Sequence, residues 1–168
     1  MKSPQGDEPA FLEGGHEHQS CIEDALTRAD ALCRERGARL TPLRRRVLEL
    51  VWSSHRAIKA YDLLAALSDG EGAAKPPTVY RTLEFLMAQG LVHRIDSLNA
   101  FVGCPQPDRR HSAQFLICGD CGDVSEMNAA SIDRAVADQA AGSGFALSRK
   151  IIELHGKCPR CTTLPQTP

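Results

Sequence analysis

The stretch "PPTVYRTLEFLMAQGLVHRIDSLNAFVGC", residues 76–104, changes periodicity halfway along its length. Its first half begins with two prolines, repeats apolar residues at helical spacing and ends at Gly90, a pattern that predicts a helix. Its second half alternates apolar and polar residues on both sides of "DSLN", which predicts a β-hairpin. The stretch therefore predicts the last helix and the wing of a winged helix-turn-helix domain, provided that further helices precede it.

Three further helices are predicted upstream of this stretch. Amphipathic spacing predicts the first over residues 21–36 and the third over residues 59–68. Between them, Thr41 is placed to cap a helix that begins at Pro42 and continues through "LRRRVLELVW". Four helices followed by a hairpin is the order of a winged helix-turn-helix domain, and residues 20–104 are its predicted extent.

The C-terminal part of the chain predicts a smaller second domain, which makes the fold class α+β. "PQPDRR", with two prolines among charges, indicates a hinge over residues 105–111. Residues 112–168 then contain predicted strands at "SAQFLIC", "DVSEM" and "FALSRKIIELH", with a helix over about 129–141 between the second and the third. At the other end of the chain, residues 1–19 are rich in Gly, Glu and Pro without periodicity, which indicates a disordered tail.

The composition favours a globular protein and excludes several other classes. A hydrophobic content of 42% is sufficient for a buried core. No apolar stretch reaches the roughly 18–20 residues of a membrane span, and the N-terminus lacks the features of a signal peptide, so we expect a cytoplasmic protein without a membrane partner. The net charge of −1 does not indicate a nucleic-acid-binding protein by itself. Residues 20–104, however, are net positive and contain three consecutive arginines at 44–46.

Four of the seven cysteines form two C-x-x-C pairs, Cys118 with Cys121 and Cys158 with Cys161. Each pair can give two thiolates to one ion, and four thiolates complete a tetrahedral Zn²⁺ shell. Glycine and proline in "CGDCG" and "CPRC" favour the tight turns that such a site needs. We therefore predict a structural zinc site that joins the ends of the second domain.

Redox chemistry and unrelated thiols are the alternative interpretations of these cysteines. Redox chemistry requires a C-x-x-C pair at the N-terminus of a helix within a βαβ unit, and neither pair has that predicted context. The 36 residues between the pairs exceed the ~15–20 of common C-x-x-C zinc sites, but they are enough for a helix and a strand. Cys21 and Cys33 lie in the first predicted helix, and we interpret them as buried or idle thiols.

A second group of candidate ligands lies around the hinge: His93, Cys104, His111 and Glu126. In a hairpin whose turn is centred within "DSLN", His93 and Cys104 are diagonal neighbours on one face, roughly 7–8 Å apart. His111 and Glu126 would then come from the other domain. This mixed set suits Zn²⁺ but binds it more weakly than four thiolates do. The mixed site can therefore lose its zinc while the four-cysteine site keeps its own. The alternative is that His93 faces solvent or phosphate and that Glu126 is an ordinary solvated strand residue.

Taken together, these motifs resemble the ferric uptake regulator family, and most closely its zinc-sensing branch. The resemblance covers about residues 22–161 and is carried, in order, by "RLTPLRRRVLELV", "AYDLLAAL", "KPPTVYRTLEFLMAQGLVHRI", "HSAQFLICGDCGDVSE" and "GFALSRKIIELHGKCPRC". It implies a DNA-binding winged helix and a C-terminal α/β domain that dimerises. It also implies structural zinc at the four paired cysteines and regulatory zinc at His93, Cys104, His111 and Glu126.

The function that the resemblance implies is that of a zinc-responsive transcriptional regulator. Such a protein is a homodimer with two Zn²⁺ per chain, binds double-stranded operator DNA and represses zinc-uptake genes. It is not an enzyme and has no small-molecule substrate. Iron-sensing members usually carry a His-rich run before the first cysteine pair, whereas this chain has His111 alone. An iron or peroxide sensor of the same family, or a C-x-x-C thiol oxidoreductase, are the alternatives.

The first turns of the helix over residues 76–90 present the main candidates for DNA contacts. Arg81 lies away from the packing stripe, and we expect it to read a purine edge, preferably guanine, in the major groove. A phosphate contact is the alternative for Arg81. Thr78, Tyr80 and Tyr61 are further candidates for contacts to phosphate or to a thymine methyl group, and Arg44 and Arg45 are candidates for electrostatic steering by phosphate.

Overall fold

The computed structural model describes residue 11 and residues 18–68, 75–109 and 111–163. The N-terminal part consists of α1 (His18–Glu35), α2 (Pro42–Trp52), β1 (Ile58–Lys59), α3 (Ala60–Ser68), α4 (Pro76–Ala88), β2 (Val92–Ile95) and β3 (Ala100–Gly103). The C-terminal part consists of β4 (Gln114–Cys118), β5 (Val124–Met127), α5 (Ala130–Gly142), β6 (Ile152–Gly156) and α6 (Pro159–Thr163). The predicted α+β fold class is confirmed.

Helices α1, α2 and α4 pack together because each presents an apolar stripe to one shared core. Thr41 caps α2 by accepting a hydrogen bond from the backbone N–H of Arg44 at 3.5 Å, and a proline occupies the first turn. In α4, Val79 and Leu83 are fully buried, whereas Arg81 faces solvent. The helices predicted for this domain are therefore confirmed.

The wing hairpin, formed by β2 and β3, has the register that the sequence predicts. His93 lies opposite Val102, and the backbone N–H of Cys104 donates to the carbonyl of Leu91 at 3.0 Å. Strand β1 pairs with β3 and completes a sheet of order β1-β3-β2. A strand of two residues carries no detectable alternation, so the sequence does not predict β1.

The C-terminal sheet has the order β5-β4-β6, with β4 antiparallel to β5 and parallel to β6. The predicted strand "FALSRKIIELH" is wrong in its first part, because β6 begins at Ile152 and residues 145–151 form no strand. The register gives the reason. Ile152 lies opposite Gln114, the first residue of β4, so the residues before Ile152 have no neighbouring strand among the described residues.

Smaller differences concern the ends of the chain. Helix α1 begins at His18, inside the predicted tail, and Gln19 Nε2 donates to Glu23 Oε1 at 2.9 Å, an i,i+4 pair that supports this extra turn. The short helix α6 is not predicted. The rest of the predicted tail, except Phe11, and the loop at 69–74 lie outside the described residues. Within the described ranges, none of the helices has the length and hydrophobicity needed to cross a lipid bilayer.

A small apolar cluster joins the wing hairpin to the C-terminal sheet. Ile95 of the hairpin is buried together with Phe115 and Ile117 of β4 and with Val124 of β5. Beside this cluster, the backbone N–H of Val124 donates to the carbonyl of His55 at 2.9 Å. The cluster therefore positions the hairpin next to the strands that carry the candidate ligands of the second domain.

Gly103 marks the closest approach of the wing hairpin to α2. A Cβ atom at this position would lie 2.3 Å from the indole ring of Trp52. We expect Gly103→Ala to lower the free energy of unfolding by about 1–3 kcal/mol, because the ring must move to admit the methyl group. Gly142→Ala is the control for chemical denaturation, since its methyl group would meet nothing within 4 Å. Equal stabilities of the two variants would contradict this packing.

Candidate metal centres

The two C-x-x-C pairs meet at one end of the C-terminal sheet. The sulfur atoms of Cys118, Cys121, Cys158 and Cys161 all lie within 4.8 Å of one another. The sulfurs of Cys121 and Cys158 are 3.7 Å apart. Four sulfurs at ~2.3 Å from one tetrahedral ion would be about 3.8 Å apart. We call these four residues the cysteine cluster, and its spacing fits a four-thiolate metal site.

Two tight turns bring these sulfurs together. Gly122 adopts a φ of +75°, and its N–H donates to the carbonyl of Cys118 at 2.9 Å, which closes the first turn. The N–H of Gly119 donates to the carbonyl of Gly156 at 2.8 Å and connects the two turns. Because β4 and β6 are parallel neighbours that end at Cys118 and Gly156, the pairs meet despite the long segment between them.

Backbone hydrogen bonds favour the thiolate form of two members of the cysteine cluster, Cys118 and Cys158. Burial raises the pKa of the Cys118 thiol, but hydrogen bonds from the backbone of Cys121, Cys158 and Asp120 outweigh burial and lower this pKa to about 6. One of them is donated by the N–H of Cys158 to Cys118 Sγ at 3.3 Å. A hydrogen bond from the backbone of Cys161 lowers the pKa of Cys158. Thiolates are the form of cysteine that binds metal, so these contacts assist binding.

The context of Cys158 differs from the interpretation of the sequence. Helix α6 begins at Pro159, so the second pair does lie at the N-terminus of a helix, although a short one. Such a position is compatible with redox chemistry. The sulfur of Cys158, however, has three other sulfurs within 4.8 Å rather than a single partner. This convergence favours a metal site.

We expect Cys118→Ser to lose one metal ion per chain and to lower the melting temperature on the order of 10 °C. The reason is that Cys118 is a ligand whose sulfur also accepts a hydrogen bond from the second turn. Metal analysis and calorimetry measure the two effects. Cys21→Ser, in the partly exposed part of α1, is the matched control and should change neither quantity. A Cys118→Ser variant that keeps its full metal content would contradict the assignment.

The second group of candidate ligands meets between the two domains. His93 lies in β2, Cys104 follows β3, His111 follows the hinge and Glu126 lies in β5. Glu126 Oε1 is 2.5 Å from His111 Nε2, and Glu126 Oε2 is 3.4 Å from His93 Nε2. Cys104 Sγ is 3.6 Å from His111 Nε2. The structure thus brings together all four residues, and we call them the interdomain cluster.

Two atoms of the interdomain cluster are buried without hydrogen bonds. The side chains of His111 and Glu126 are only 9% and 8% exposed. Among the described residues, His93 Nε2 and Glu126 Oε2 are buried polar atoms that make no hydrogen bond. Each buried unpaired polar group costs roughly 1–3 kcal/mol. A metal ion that binds both atoms would remove this cost, so the donor set fits a metal.

Burial also sets the protonation of these ligands. Burial, with a smaller contribution from His111, lowers the pKa of His93 to about 4, so its ring is neutral at pH 7. Burial, followed by the charge of Glu126, raises the pKa of the Cys104 thiol to about 12. Burial raises the pKa of Glu126 as well, against the opposing effect of His111. The imidazole of His93 is therefore ready to bind a metal, whereas Cys104 must first lose its proton.

A backbone carbonyl orients His111 in this cluster. His111 Nδ1 lies 2.7 Å from the carbonyl oxygen of Arg109. When Nδ1 donates to this carbonyl, Nε2 carries the free lone pair and faces Glu126 and Cys104. This is the arrangement that is usual for a histidine that binds metal through Nε2.

Sequence reasoning misses the residues that hold the hinge beside the interdomain cluster. Arg28 Nη1 donates to the carbonyl of Pro105 at 2.8 Å, and Arg36 Nη2 donates to the carbonyl of Pro107 at 3.1 Å. Both arginines extend from α1 or its end and contact residues at least 71 positions along the chain. Helical periodicity marks them only as polar residues, so no local signal identifies these contacts.

We expect the metal affinity of the interdomain cluster to rise about tenfold per pH unit between roughly pH 7 and 8. The reason is that the raised pKa of Cys104 keeps its thiol protonated in this range, so binding releases one proton. His93 releases no further proton on metal binding, because its lowered pKa already makes its ring neutral in this range. Chelator competition at several pH values, corrected for the chelator, measures the slope. An affinity independent of pH would contradict the role of Cys104.

The residues predicted to contact DNA are exposed on α3 and α4. The side chain of Tyr61 is 79% exposed and that of Tyr80 is 52% exposed, which is high for aromatic residues. Thr78 and Arg81 are exposed beside Tyr80 at the beginning of α4. Arg45 is exposed on α2. Thr78, Tyr80 and Arg81 thus form one polar surface at a helix end, which is suitable for a nucleic-acid contact.

Arg44 is less accessible to DNA than its place among the predicted contacts implies. Its guanidinium carbon lies 3.4 Å from the centre of the Phe85 ring, and its Nη1 donates to the carbonyl of Arg39 at 2.6 Å. This cation–π contact joins α2 to α4 and makes Arg44 half-buried. Of the two arginines proposed to bind phosphate, only Arg45 is exposed.

Known proteins are similar to this chain over most of its length. The model of the ferric uptake regulator family matches residues 35–155 of this chain. The zinc uptake regulation protein of Escherichia coli (strain K12) is 44% identical over 144 residues, which cover 85% of this chain and 84% of that protein. The shared region therefore contains most of both domains.

Solved structures share the fold and also distinguish two domain arrangements. A zinc uptake regulator complexed with zinc and DNA has a TM-score of 0.79 at 43% identity, with 84% of this chain and 95% of that chain covered. The holo form of XcZur has a TM-score of 0.78 at 39% identity, with 84% and 99% covered. Its apo form has a TM-score of 0.50 at the same 39% identity, with 84% and 98% covered. Because identity and coverage nearly agree, the two scores differ through conformation, and this chain is more similar to the holo form.

Proposed function

This chain belongs to the ferric uptake regulator family, and from that premise we propose that it is a zinc-responsive transcriptional repressor. As a homodimer it binds operator DNA and represses zinc-uptake genes when Zn²⁺ fills the interdomain cluster. The observation that carries the proposal is this cluster itself, in which donors from both sides of the hinge meet at one point and two lack hydrogen bonds. A relative named as a zinc uptake regulator and a similar structure with zinc and DNA support it.

We assign one Zn²⁺ per chain to each of the two clusters. The cysteine cluster offers four thiolates, a closed ligand set that is typical of structural zinc. The interdomain cluster offers one thiolate, two imidazoles and one carboxylate, and its thiol must lose a proton before it binds. The interdomain cluster therefore binds more weakly, and its occupancy follows the free zinc concentration.

The donor set of the interdomain cluster also favours zinc over iron, the metal that the name of the family refers to. Cys104 contributes a soft thiolate, and imidazoles complete a set that suits four-coordinate Zn²⁺. An iron sensor is the alternative within the family, and a site with mainly oxygen and nitrogen donors would support it better. The convergence of four sulfurs in the cysteine cluster makes a thiol oxidoreductase the weaker alternative.

The protein's own residues couple the cluster to the position of the wing. His93 and Cys104 belong to the hairpin region, whereas His111 and Glu126 belong to the domain beyond the hinge. Bound Zn²⁺ supplies the positive charge that all four donors share. Without it, His93 Nε2 and Glu126 Oε2 are buried 3.4 Å apart with no hydrogen bond, which favours separation of the hairpin from β5. The similarity to the holo form of XcZur rather than to its apo form supports this coupling.

A second copy of the chain would cover an apolar surface of the C-terminal domain. Phe145, Ile151 and Leu154 are 64%, 49% and 46% exposed, and α5 buries none of its residues. Exposed apolar residues of this extent are typical of an interface between subunits. Residues 145–151, which have no strand partner in the part of the chain that the structure describes, would find one in the second copy.

The dimer links zinc binding to DNA binding through geometry. The two copies of α4 in a dimer must reach the two half-sites of the operator DNA. These half-sites accept only a limited range of distances between the two helices. The wing position set by the interdomain cluster therefore decides whether both helices fit. We assign base reading to Arg81 and contacts to phosphate or a thymine methyl group to Thr78, Tyr80 and Tyr61. Arg45 contributes a phosphate contact, and Arg44 does so less because it stacks on Phe85.

We expect Cys104→Ser to retain one Zn²⁺ per chain and the dimer, but to weaken zinc-dependent DNA binding about 100-fold, because the only thiolate of the interdomain cluster is lost. Fluorescence anisotropy with DNA selected by the wild-type protein, across buffered free zinc, measures the effect. Cys21→Ser is the matched control and should behave as the wild type. Unchanged zinc dependence in Cys104→Ser would show that the regulatory site lies elsewhere.

A further inference from the structure

One row of residues crosses the C-terminal sheet beneath the wing hairpin. Phe115 of β4 lies opposite Glu126 of β5 and opposite Glu153 of β6. Residues opposite one another on neighbouring strands share a face of the sheet, so these three side chains lie on one face. The ring of Phe115 meets the ring of His93 edge-on, with centroids 5.6 Å apart. This face is therefore the one that contacts the hairpin.

The two glutamates of this row hold opposite ends of the hairpin. Glu126 belongs to the interdomain cluster, beside His93. Glu153 contacts the turn: its Oε1 accepts a hydrogen bond from the backbone N–H of Asp96 at 2.6 Å, and its Oε2 accepts one from the N–H of Ser97 at 3.0 Å. Both oxygens of one half-buried carboxylate are thus used by consecutive amides of the wing turn.

A second side chain of the C-terminal domain strengthens this contact. Arg149 Nη2 lies 2.7 Å from Asp96 Oδ2, so the carboxylate of the turn is paired across the domain boundary. Although burial raises the pKa of Glu153, the hydrogen bonds from Ser97 and Asp96 outweigh burial and lower it. Glu153 is therefore ionised at neutral pH, and charge-assisted hydrogen bonds of this kind are the stronger ones.

We infer that Glu153 is a positioning residue that holds the tip of the wing on the C-terminal sheet, and that it acts together with the interdomain cluster in zinc sensing. It binds no metal. It stabilises the same orientation of the hairpin that Zn²⁺ stabilises from the other end of the row. Two groups that stabilise one conformation are coupled by linkage, so removing the Glu153 contact weakens zinc binding at a distance. This inference rests on the proposed function, in which the wing orientation controls DNA binding.

No local signal in the sequence identifies this role. Glu153 is a single acidic residue in a predicted strand, and its partners in the turn are 56 and 57 residues earlier in the chain. The parallel register of β6 with β4 is what places it in line with Glu126.

The test uses the full chain with both metal sites filled, and the variants Glu153→Ala and Glu153→Gln. Glu35→Gln, exposed at the end of α1, is the matched control. The first measurement is hydrogen exchange of the Asp96 and Ser97 amides by NMR. We expect slow exchange in the wild type and exchange about tenfold faster in Glu153→Ala, because both amides lose their acceptor.

The second measurement is competition between a zinc chelator and the interdomain cluster. We expect the midpoint of zinc release to shift about tenfold toward weaker binding in Glu153→Ala. Glu153→Gln keeps one oxygen acceptor without the charge and should give a smaller shift in the same direction. All variants should retain one Zn²⁺ per chain in the cysteine cluster, which shows that the domain is folded.

A residue with a merely structural role would change stability but not the zinc midpoint. The inference is overturned if the two amides exchange equally fast in wild type and Glu153→Ala, or if the midpoint of both variants stays within about twofold of the wild type. Neither measurement requires DNA. Operator binding by the wild type that is independent of zinc would instead contradict the proposed function, so the two failures are distinguishable.

Discussion

The convergence of one thiol, one carboxylate and two imidazoles between the domains is the constraint on which the rest of the structure depends. Burial of this cluster is unfavourable in the absence of a metal: it lowers the pKa of His93 to about 4, raises that of Cys104 to about 12 and leaves two polar atoms without hydrogen bonds. A dication shared by all four groups reverses each of these costs. The junction is thus suited to two states, and metal binding favours one of them.

The cysteine cluster makes this selectivity possible because it fixes one half of the junction. It connects the ends of β4 and β6 and the turn before β5, so Glu126 and Glu153 are carried on a rigid sheet. Beside it, Asp123 pairs with Arg56, at 3.6 Å, and with Arg160 next to the second cysteine pair. In the proposed mechanism, the wing hairpin changes its position relative to the C-terminal sheet, and the sheet itself keeps its structure.

Much of this arrangement follows from local pattern, and the reasons are visible in particular residues. The periodicity of α4 and the turn at "DSLN" predict the hairpin register, and hence the proximity of His93 and Cys104. The spacing of the cysteine pairs predicts their cluster. The sequence offers His111 and Glu126 only as candidate ligands. Their position near the hairpin depends on the apolar contact of Ile95 with the C-terminal sheet, which no local pattern encodes.

Apart from the short elements β1 and α6 and the extra turn of α1, the failures of sequence reasoning concern contacts between distant segments. Residues 145–151 have the composition of a strand, yet no strand of the described ranges reaches them. Arg44 has the pattern of a solvent-facing residue, yet the ring of Phe85 on another helix attracts its guanidinium. The contacts of Arg28, Arg36 and Glu153 depend on how the hinge and the wing lie in three dimensions.

Small-angle X-ray scattering of the protein with one Zn²⁺ per chain, and then with two, tests the central claim most directly. If the filled interdomain cluster fixes the orientation of the two domains, the second equivalent of zinc changes the scattering profile of the wild type. The same addition leaves the profile of His111→Ala unchanged. Identical profiles of the wild type with one and with two Zn²⁺ per chain would contradict the account.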